Sequence, residues 1–176
     1  MNLTTPSYTA TASFIATPIF DGDVKIGVLI FQMPVDKINS IMTGDKKWKE
    51  DGLGNSGETY LVGDDYKMRS MSRFLIEDPI GYFNESERIG YNENLQKKIR
   101  HLNTTILLQD VKNEAVISAL RGNTDKKIVL DYRGISVLSA FSKLNIQDVN
   151  WVICSDIDEE EVLESIFYLK QMEIGN

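Results

Sequence analysis

One stretch limits what this chain can become. Gly52-Leu53-Gly54-Asn55-Ser56-Gly57 runs directly into Glu58-Thr59-Tyr60-Leu61-Val62-Gly63, and Asp64-Asp65 then leads to Lys67-Met68-Arg69-Ser70-Met71-Ser72-Arg73-Phe74. The pattern predicts a glycine-rich lead-in, a strand over 58–62, a turn, and a second strand over 67–74. On that second strand Met68, Ser70, Ser72 and Phe74 share one side, with Arg69, Met71 and Arg73 on the other. The three glycines do not make a phosphate loop. Their spacing is not that of a P-loop, no Lys-Ser/Thr pair follows, and they precede a strand rather than a helix.

Downstream, Glu77-Asp78-Pro79-Ile80-Gly81-Tyr82 interrupts regular structure. Leu95, Ile99 and Leu102 recur at helical spacing within 84–109, and 114–120 predicts a short helix stopped by Arg121-Gly122. Strands follow at 127–132, 135–144 and 151–157, with Arg133-Gly134 as a tight turn. Asp158 then reads as the cap of a last helix, with Glu161 as an acidic capping-box variant and Ile157 and Val162 as a hydrophobic staple. Val162, Ile166 and Leu169 continue one apolar face. Residues 52–170 thus order as strand, strand, helical insertion, three strands, helix. This is an α+β arrangement, one antiparallel sheet with helices packed on one side.

Upstream, residues 1–12 are rich in Thr and Ser and read as extended. Strands at 13–20 and 24–33 flank the turn Asp21-Gly22-Asp23. Ile26-Gly27-Val28-Leu29-Ile30-Phe31 does not alternate, which predicts a strand buried on both faces. Pro34 suits a helix first turn, and Val35, Ile38, Ile41 and Met42 carry that helix to about residue 43 or 44. Trp48 falls in the connector 45–51. A hairpin and exit helix are half of a small α/β module, so the chain is expected to begin partway through a larger protein. The predicted division is 1–44, the end of one module plus a linking helix, and 45–176, a second module.

The formal charge of −7 argues against nucleic acid, which needs a basic face. The longest apolar run is far too short to cross a bilayer, and Met1-Asn2-Leu3-Thr4-Thr5 lacks the features of a signal peptide. The sequence has one cysteine, Cys154, within a predicted strand, and one histidine, His101, on a basic helical face. A lone cysteine forms no internal disulfide, and a zinc site needs more such ligands. Asp158, Glu159, Glu160 and Glu161 lack EF-hand spacing and suit a helix start. No nucleophile elbow or other catalytic constellation is visible, so no enzyme activity and no cofactor are expected.

Several motifs resemble the extracytoplasmic, PAS-like sensor fold called Cache, found in bacterial chemoreceptors, histidine kinases and adenylate/guanylate cyclases. They are the 52–63 stretch, Met68-Arg69-Ser70-Met71-Ser72-Arg73-Phe74, Asp131-Tyr132-Arg133-Gly134-Ile135-Ser136-Val137-Leu138-Ser139-Ala140, and Trp151-Val152-Ile153-Cys154-Ser155-Asp156-Ile157-Asp158. Phe14-Ile15-Ala16-Thr17-Pro18-Ile19-Phe20 and Gly27-Val28-Leu29-Ile30-Phe31-Gln32-Met33 resemble the closing strands of a preceding module. The resemblance implies a double Cache (dCache) region outside the membrane, flanking membrane helices, a cytoplasmic output domain and a receptor homodimer. The sequence carries neither the long first helix and front half of module one, nor a membrane span, nor an output domain.

The resemblance also implies a small ligand held between the sheet and the helical insertion. The residues that would line such a site are Tyr60, Arg69, Ser70, Ser72, Arg73, Tyr82, Tyr132, Ser139 and Asp156. Arg69 or Arg73 would fork onto a carboxylate, Asp156 would accept from an ammonium, and the tyrosines would stack and hydrogen-bond. Alternatively the arginines pair with Asp64 or Asp65, Tyr132 packs at a hairpin end, and Asp156 supports the last helix. The aromatic-Arg-Trp-Tyr pattern of the amino-acid-binding subgroup is incomplete. Two functions stay open: a ligand-sensing input domain, or a ligand-free structural, dimerisation or protein-interaction module of the same receptor type.

Overall fold

A computed structural model describes residues 12–174. It opens with the antiparallel hairpin of β1 (Ala12–Asp21) and β2 (Val24–Pro34), whose register shifts once, between Ile19 and Phe20. The residues before Ala12 lie outside the described part of the chain. The hairpin forms its own two-stranded sheet and is not buried on both faces, as the unbroken apolar run had predicted. Ile26 is 64% and Ile30 59% exposed, and Phe14, Phe20 and Phe31 are likewise open. The run lacks polar alternation, yet no second layer among the described residues covers it.

Helix α1 (Val35–Met42) follows at once, ending in a 3₁₀ turn at Gly44–Lys46. It is tied to the rest of the chain by Asn39, whose Oδ1 accepts the Met71 N–H at 2.9 Å. Trp48 of the connector is buried, and the Arg73 guanidinium lies 5.1 Å from its ring centroid.

The main sheet has four antiparallel strands in the order β3-β6-β5-β4: β3 (Glu58–Gly63), β4 (Asp125–Leu130), β5 (Ser136–Lys143) and β6 (Trp151–Asp158). Between β3 and β4 come α2 (Arg73–Glu77), α3 (Pro79–Arg88), α4 (Glu93–Leu102) and α5 (Glu114–Leu120). One sheet face carries Tyr60, Val62, Val137, Phe141, Val152 and Cys154, packed with Ile99, Val116 and Ala119 of the insertion. Period-2 alternation explains that set, since β5 and β6 alternate between fully and partly buried residues. Cys154 is a core residue, and burial pushes its thiol far above the ordinary range.

Residues 67–74 do not form the predicted strand. Only isolated bridges, Val62 to Met68 and Lys67 to Asp110, remain of it. Ser72 instead caps α2, its Oγ accepting the Phe74 and Leu75 N–H groups, so the chain turns helical where alternation predicted extension. The alternating burial of Met68, Ser70 and Ser72 persists, which is why the pattern resembled a strand.

The last helix, α6 (Glu159–Ile174), also departs from expectation at its start. Asp158 pairs with Arg133 at 2.5 Å rather than capping the helix by its side chain. Glu161 does not close a capping box; its carboxylate reaches the glycine-rich stretch more than a hundred residues earlier in sequence. Val162 is half-buried, whereas Ile166 is exposed along with Leu163 and Phe167.

Candidate functional site

The site grows from one cross-strand row. Asp156 on β6 lies opposite Glu58 on β3 and opposite Ser139 on β5. All three are buried on the inner face. Around them the chain builds a polar network in an otherwise apolar core. Tyr60 donates to Asp156 Oδ2 at 2.7 Å. Tyr132 donates to Glu58 Oε1 and shares a 2.7 Å hydrogen bond with Ser72 Oγ. Glu58 Oε2 accepts the Arg73 N–H at 2.9 Å. The Tyr60 and Tyr132 rings meet edge to face, 5.9 Å apart.

Two polar atoms of this row remain without a partner among the described residues: Ser139 Oγ and Asp156 Oδ1. The serine hydroxyl stands near enough to Asp156 to ease its charge, but the two atoms do not meet hydrogen-bond distance and angle. Leaving such groups buried and unpaired costs roughly 1–3 kcal/mol each.

Burial pushes the Glu58 carboxyl from 4.5 up to about 7, against the lowering effect of the Tyr132 hydroxyl, the Arg73 N–H and the Arg133 charge. Burial likewise raises Asp156 from 3.8 to about 6, opposed by Ser139 and Tyr60. The desolvation of a charged carboxylate outweighs what neighbouring hydroxyls return. Tyr60 and Tyr132 are driven far above the ordinary phenol range by burial, so both stay as donors.

The other ligand candidates are differently engaged. Arg69 holds Asp65 at 2.8 Å and the Lys67 carbonyl at 3.0 Å, and lies 5.9 Å from the Trp151 ring centroid. Arg73 is 1% exposed and spent on structure: Nε pairs with Glu77 at 2.7 Å, and its other nitrogens donate to the carbonyls of Leu53, Gly54 and Gly57. Ser70 accepts the Leu61 N–H at 3.1 Å. Tyr82 donates to Gln109, a bond within the insertion. The structure therefore brings Tyr60, Ser72, Tyr132, Ser139 and Asp156 together, and places Arg69, Ser70, Arg73 and Tyr82 at its margins.

Sequence reasoning did not name Glu58, Arg133 or Glu161 as site residues. Glu58 was within reach, because it shares strand parity with Tyr60 and Val62. Arg133 bridges Asp131 at 2.6 Å and Asp158 at 2.5 Å while its guanidinium stacks 3.6 Å from the Phe74 centroid. A surface cleft of about 500 Å³ lies apart from this network, between α1 and α2, and none of the nine predicted ligand residues lines it. A smaller one of about 240 Å³ is lined by Phe74, Tyr82, Glu85 and Arg133. Among the described residues, no helix is long and apolar enough to cross a membrane, and no group of three metal-ligating side chains gathers.

No family model and no curated protein matches the sequence. Solved structures do. The periplasmic sensory domain of the Campylobacter jejuni chemoreceptor Tlp1 superposes with a TM-score of 0.50 at 16% identity, over 86% of this chain and 45% of that one. The ligand-binding domain of the Pseudomonas aeruginosa PAO1 amino acid chemoreceptor PctB, in complex with L-Arg, gives 0.49 at 13% identity, over 92% and 49%. The ligand-binding domain of the Pseudomonas fluorescens chemoreceptor CtaA, in complex with L-leucine, gives 0.44 at 14%, over 86% and 49%. The chain thus spans a little under half the length of these neighbours. Its fold is the α+β, PAS-like Cache fold of chemoreceptor sensory domains.

Proposed function

We propose that this chain is a ligand-sensing input region of a transmembrane signal-transduction receptor, lying outside the cytoplasm and anchored by flanking segments of a longer protein. In this reading residues 45–176 are the membrane-proximal Cache module and 1–44 close the module before it. A small molecule is recognised between the sheet and the helical insertion, with Asp156 and Ser139 as the polar contacts and Tyr60, Ser72 and Tyr132 orienting them.

One observation carries the reading: two neighbouring buried polar atoms, Ser139 Oγ and Asp156 Oδ1, lack partners. A ligand donor, such as an ammonium or hydroxyl, would satisfy the carboxylate and recover the desolvation cost. An amine fits better than a carboxylate, because Arg69 and Arg73 are already committed to protein acceptors.

Thermal-shift screening of small amines, amino acids and carboxylates tests this at fixed pH. A binder at a hundred times its Kd adds about 2.7 kcal/mol, an upward shift of about 5–10 °C for a chain of this size. D156A abolishes that shift. Absence of stabilisation by every class would overturn ligand recognition here. A second reading, a ligand-free structural or dimerisation module, is favoured by the internal bonding of Glu58, Ser72, Tyr82, Gln109 and Tyr132, which already fills much of the inner face. Concentration-dependent dimer formation by light scattering, with no ligand response, would select it.

A further inference from the structure

The carboxyl pair of Glu58 and Asp156 sits at the end of the β3–β6 ladder, and that end carries the last helix. Glu58 is the first residue of β3, and Asp156 lies two residues before the end of β6, where α6 begins. Just beyond the pair, the loop before β3 and the start of α6 are locked by a clasp. Glu161 on α6 accepts the N–H groups of Asn55 and Ser56, each at 2.8 Å, and the Ser56 hydroxyl. Ser56 Oγ in turn accepts the Asp158 N–H at 3.0 Å. Arg73 braces the same loop from below by binding the Gly54 and Gly57 carbonyls, and its own N–H rests on Glu58. A disturbance of the carboxyl pair has a short, hydrogen-bonded route to α6.

We propose that the buried Glu58–Asp156 pair makes this module a proton sensor: uptake of one proton tightens the β3–β6 end and the Glu161 clasp, and its release loosens them, so α6 reports external acidity. The proton passes between solvent and a carboxylate oxygen, and no other bond is made or broken. Two charged carboxylates at opposite positions of one ladder step, both buried, repel and demand solvation; one proton bound at either removes the repulsion and one of the two charges.

The surroundings favour this response. Glu58 lies opposite Asp156 of β6 and is faced by Tyr60 on its own strand, Tyr132 and Arg133 from the β4–β5 turn, Arg73 from α2 and Tyr82 from α3. Asp156 lies opposite Glu58 on the ladder and faces Tyr60, Cys154, Ser139, and the Asp131–Arg133 ion pair. The single guanidinium near both, Arg133, is divided between Asp131 and Asp158 and leaves the pair without a dedicated counter-ion. Helix α5 buries only Ala115, Val116 and Ala119. The buried carboxyls take up protons between about pH 6 and 7. Glu161 stays charged through that range: its slight burial opposes this, but the Asn55 N–H and both Ser56 donors hold its carboxyl below the ordinary range.

The inference rests on the sensing reading only in taking α6 as the outgoing element. It is tested on the intact chain, without ligand, by carboxyl-carbon NMR titration and by amide exchange at Asn55 and Ser56. Exchange is measured at pH 5.5 and 8 and corrected for the intrinsic pH dependence of exchange. At least one of the two carboxyls titrates above pH 6, and clasp protection is about tenfold higher at pH 5.5, the effect of roughly one pKa unit. E58Q, a neutral mimic, holds the protected state at both pH values. H101Q, which removes the single histidine, leaves the response intact. Titration of both carboxyls below about pH 5, equal protection at the two pH values, or loss of the response in H101Q would each overturn the latch. A flat clasp in a chain that is still stabilised by an amine sinks this inference alone. A pH-responsive clasp in a chain blind to every ligand sinks the ligand site alone.

Discussion

Glu58 is a strand residue whose ionised form is unwelcome where the fold puts it. A carboxyl with a raised folded-state pKa binds more protons folded than unfolded, so the stability it contributes is full below about pH 4.5 and is lost as pH rises through about 7. The difference is about 3 kcal/mol at most. In chemical denaturation at pH 4.5 and pH 8, E58Q is expected to shrink the loss of stability seen in the parent over that interval. An unchanged interval would mean that Glu58 carries an ordinary carboxyl. Tyr132 makes a complementary case. Its phenol donates to Glu58 and accepts from the Ser72 hydroxyl, so Tyr132→Phe leaves one buried acceptor and one donor short and costs about 1–3 kcal/mol, read from the urea midpoint.

Among the elements, the glycine-rich lead-in matters for closeness of approach rather than for any phosphate. A Cβ on Gly57 would stand 2.2 Å from the Leu53 carbonyl oxygen, inside the loop that Arg73 holds. Gly57→Ala therefore costs about 1–3 kcal/mol by overpacking and frees the Asn55 and Ser56 amides to exchange. Ser56→Ala tests the same clasp more gently: it removes two hydrogen bonds, raises exchange at the start of α6, and leaves the sheet midpoint within about 1.5 kcal/mol.

Much at this level was legible in the sequence. Alternation and turn residues located β3, β5, β6 and the hairpin, and α5 falls on the predicted 114–120. Residues 67–74 were misread because buried Met68, Ser70 and Ser72 mimic strand parity while Ser72 acts as a helix cap. Glu161 was misread because a carboxylate at the third helical position satisfies a local capping pattern equally well; only the return of the chain shows that its donors lie in the 55–56 loop. The polar row of the site was half visible. Asp156 and Ser139 were named, but the row that joins them to Glu58 through Asp156 is a matter of register across strands far apart in sequence.

For the whole molecule, the contrast is between a sheet filled by its own insertion and a hairpin with both faces open. Contiguous apolar surface of that kind promotes association in water. The full chain is expected to scatter light more strongly as concentration rises, whereas a chain starting at Val35 stays monomeric. Because the hairpin shares no ladder with the main sheet, the same truncation should leave the urea stability of the remainder within about 0.5 kcal/mol. A larger loss would place the hairpin within the same cooperative unit as the main sheet.

Cys154 sits in the middle of that unit, fully covered, and the sequence has no other thiol. A maleimide or disulfide reagent can reach it only when the insertion lifts from the sheet or β6 parts from its neighbours. The rate of alkylation then counts openings of the core one molecule at a time, a built-in stopwatch for how often the sheet and its insertion breathe and how far an amine or a proton slows them.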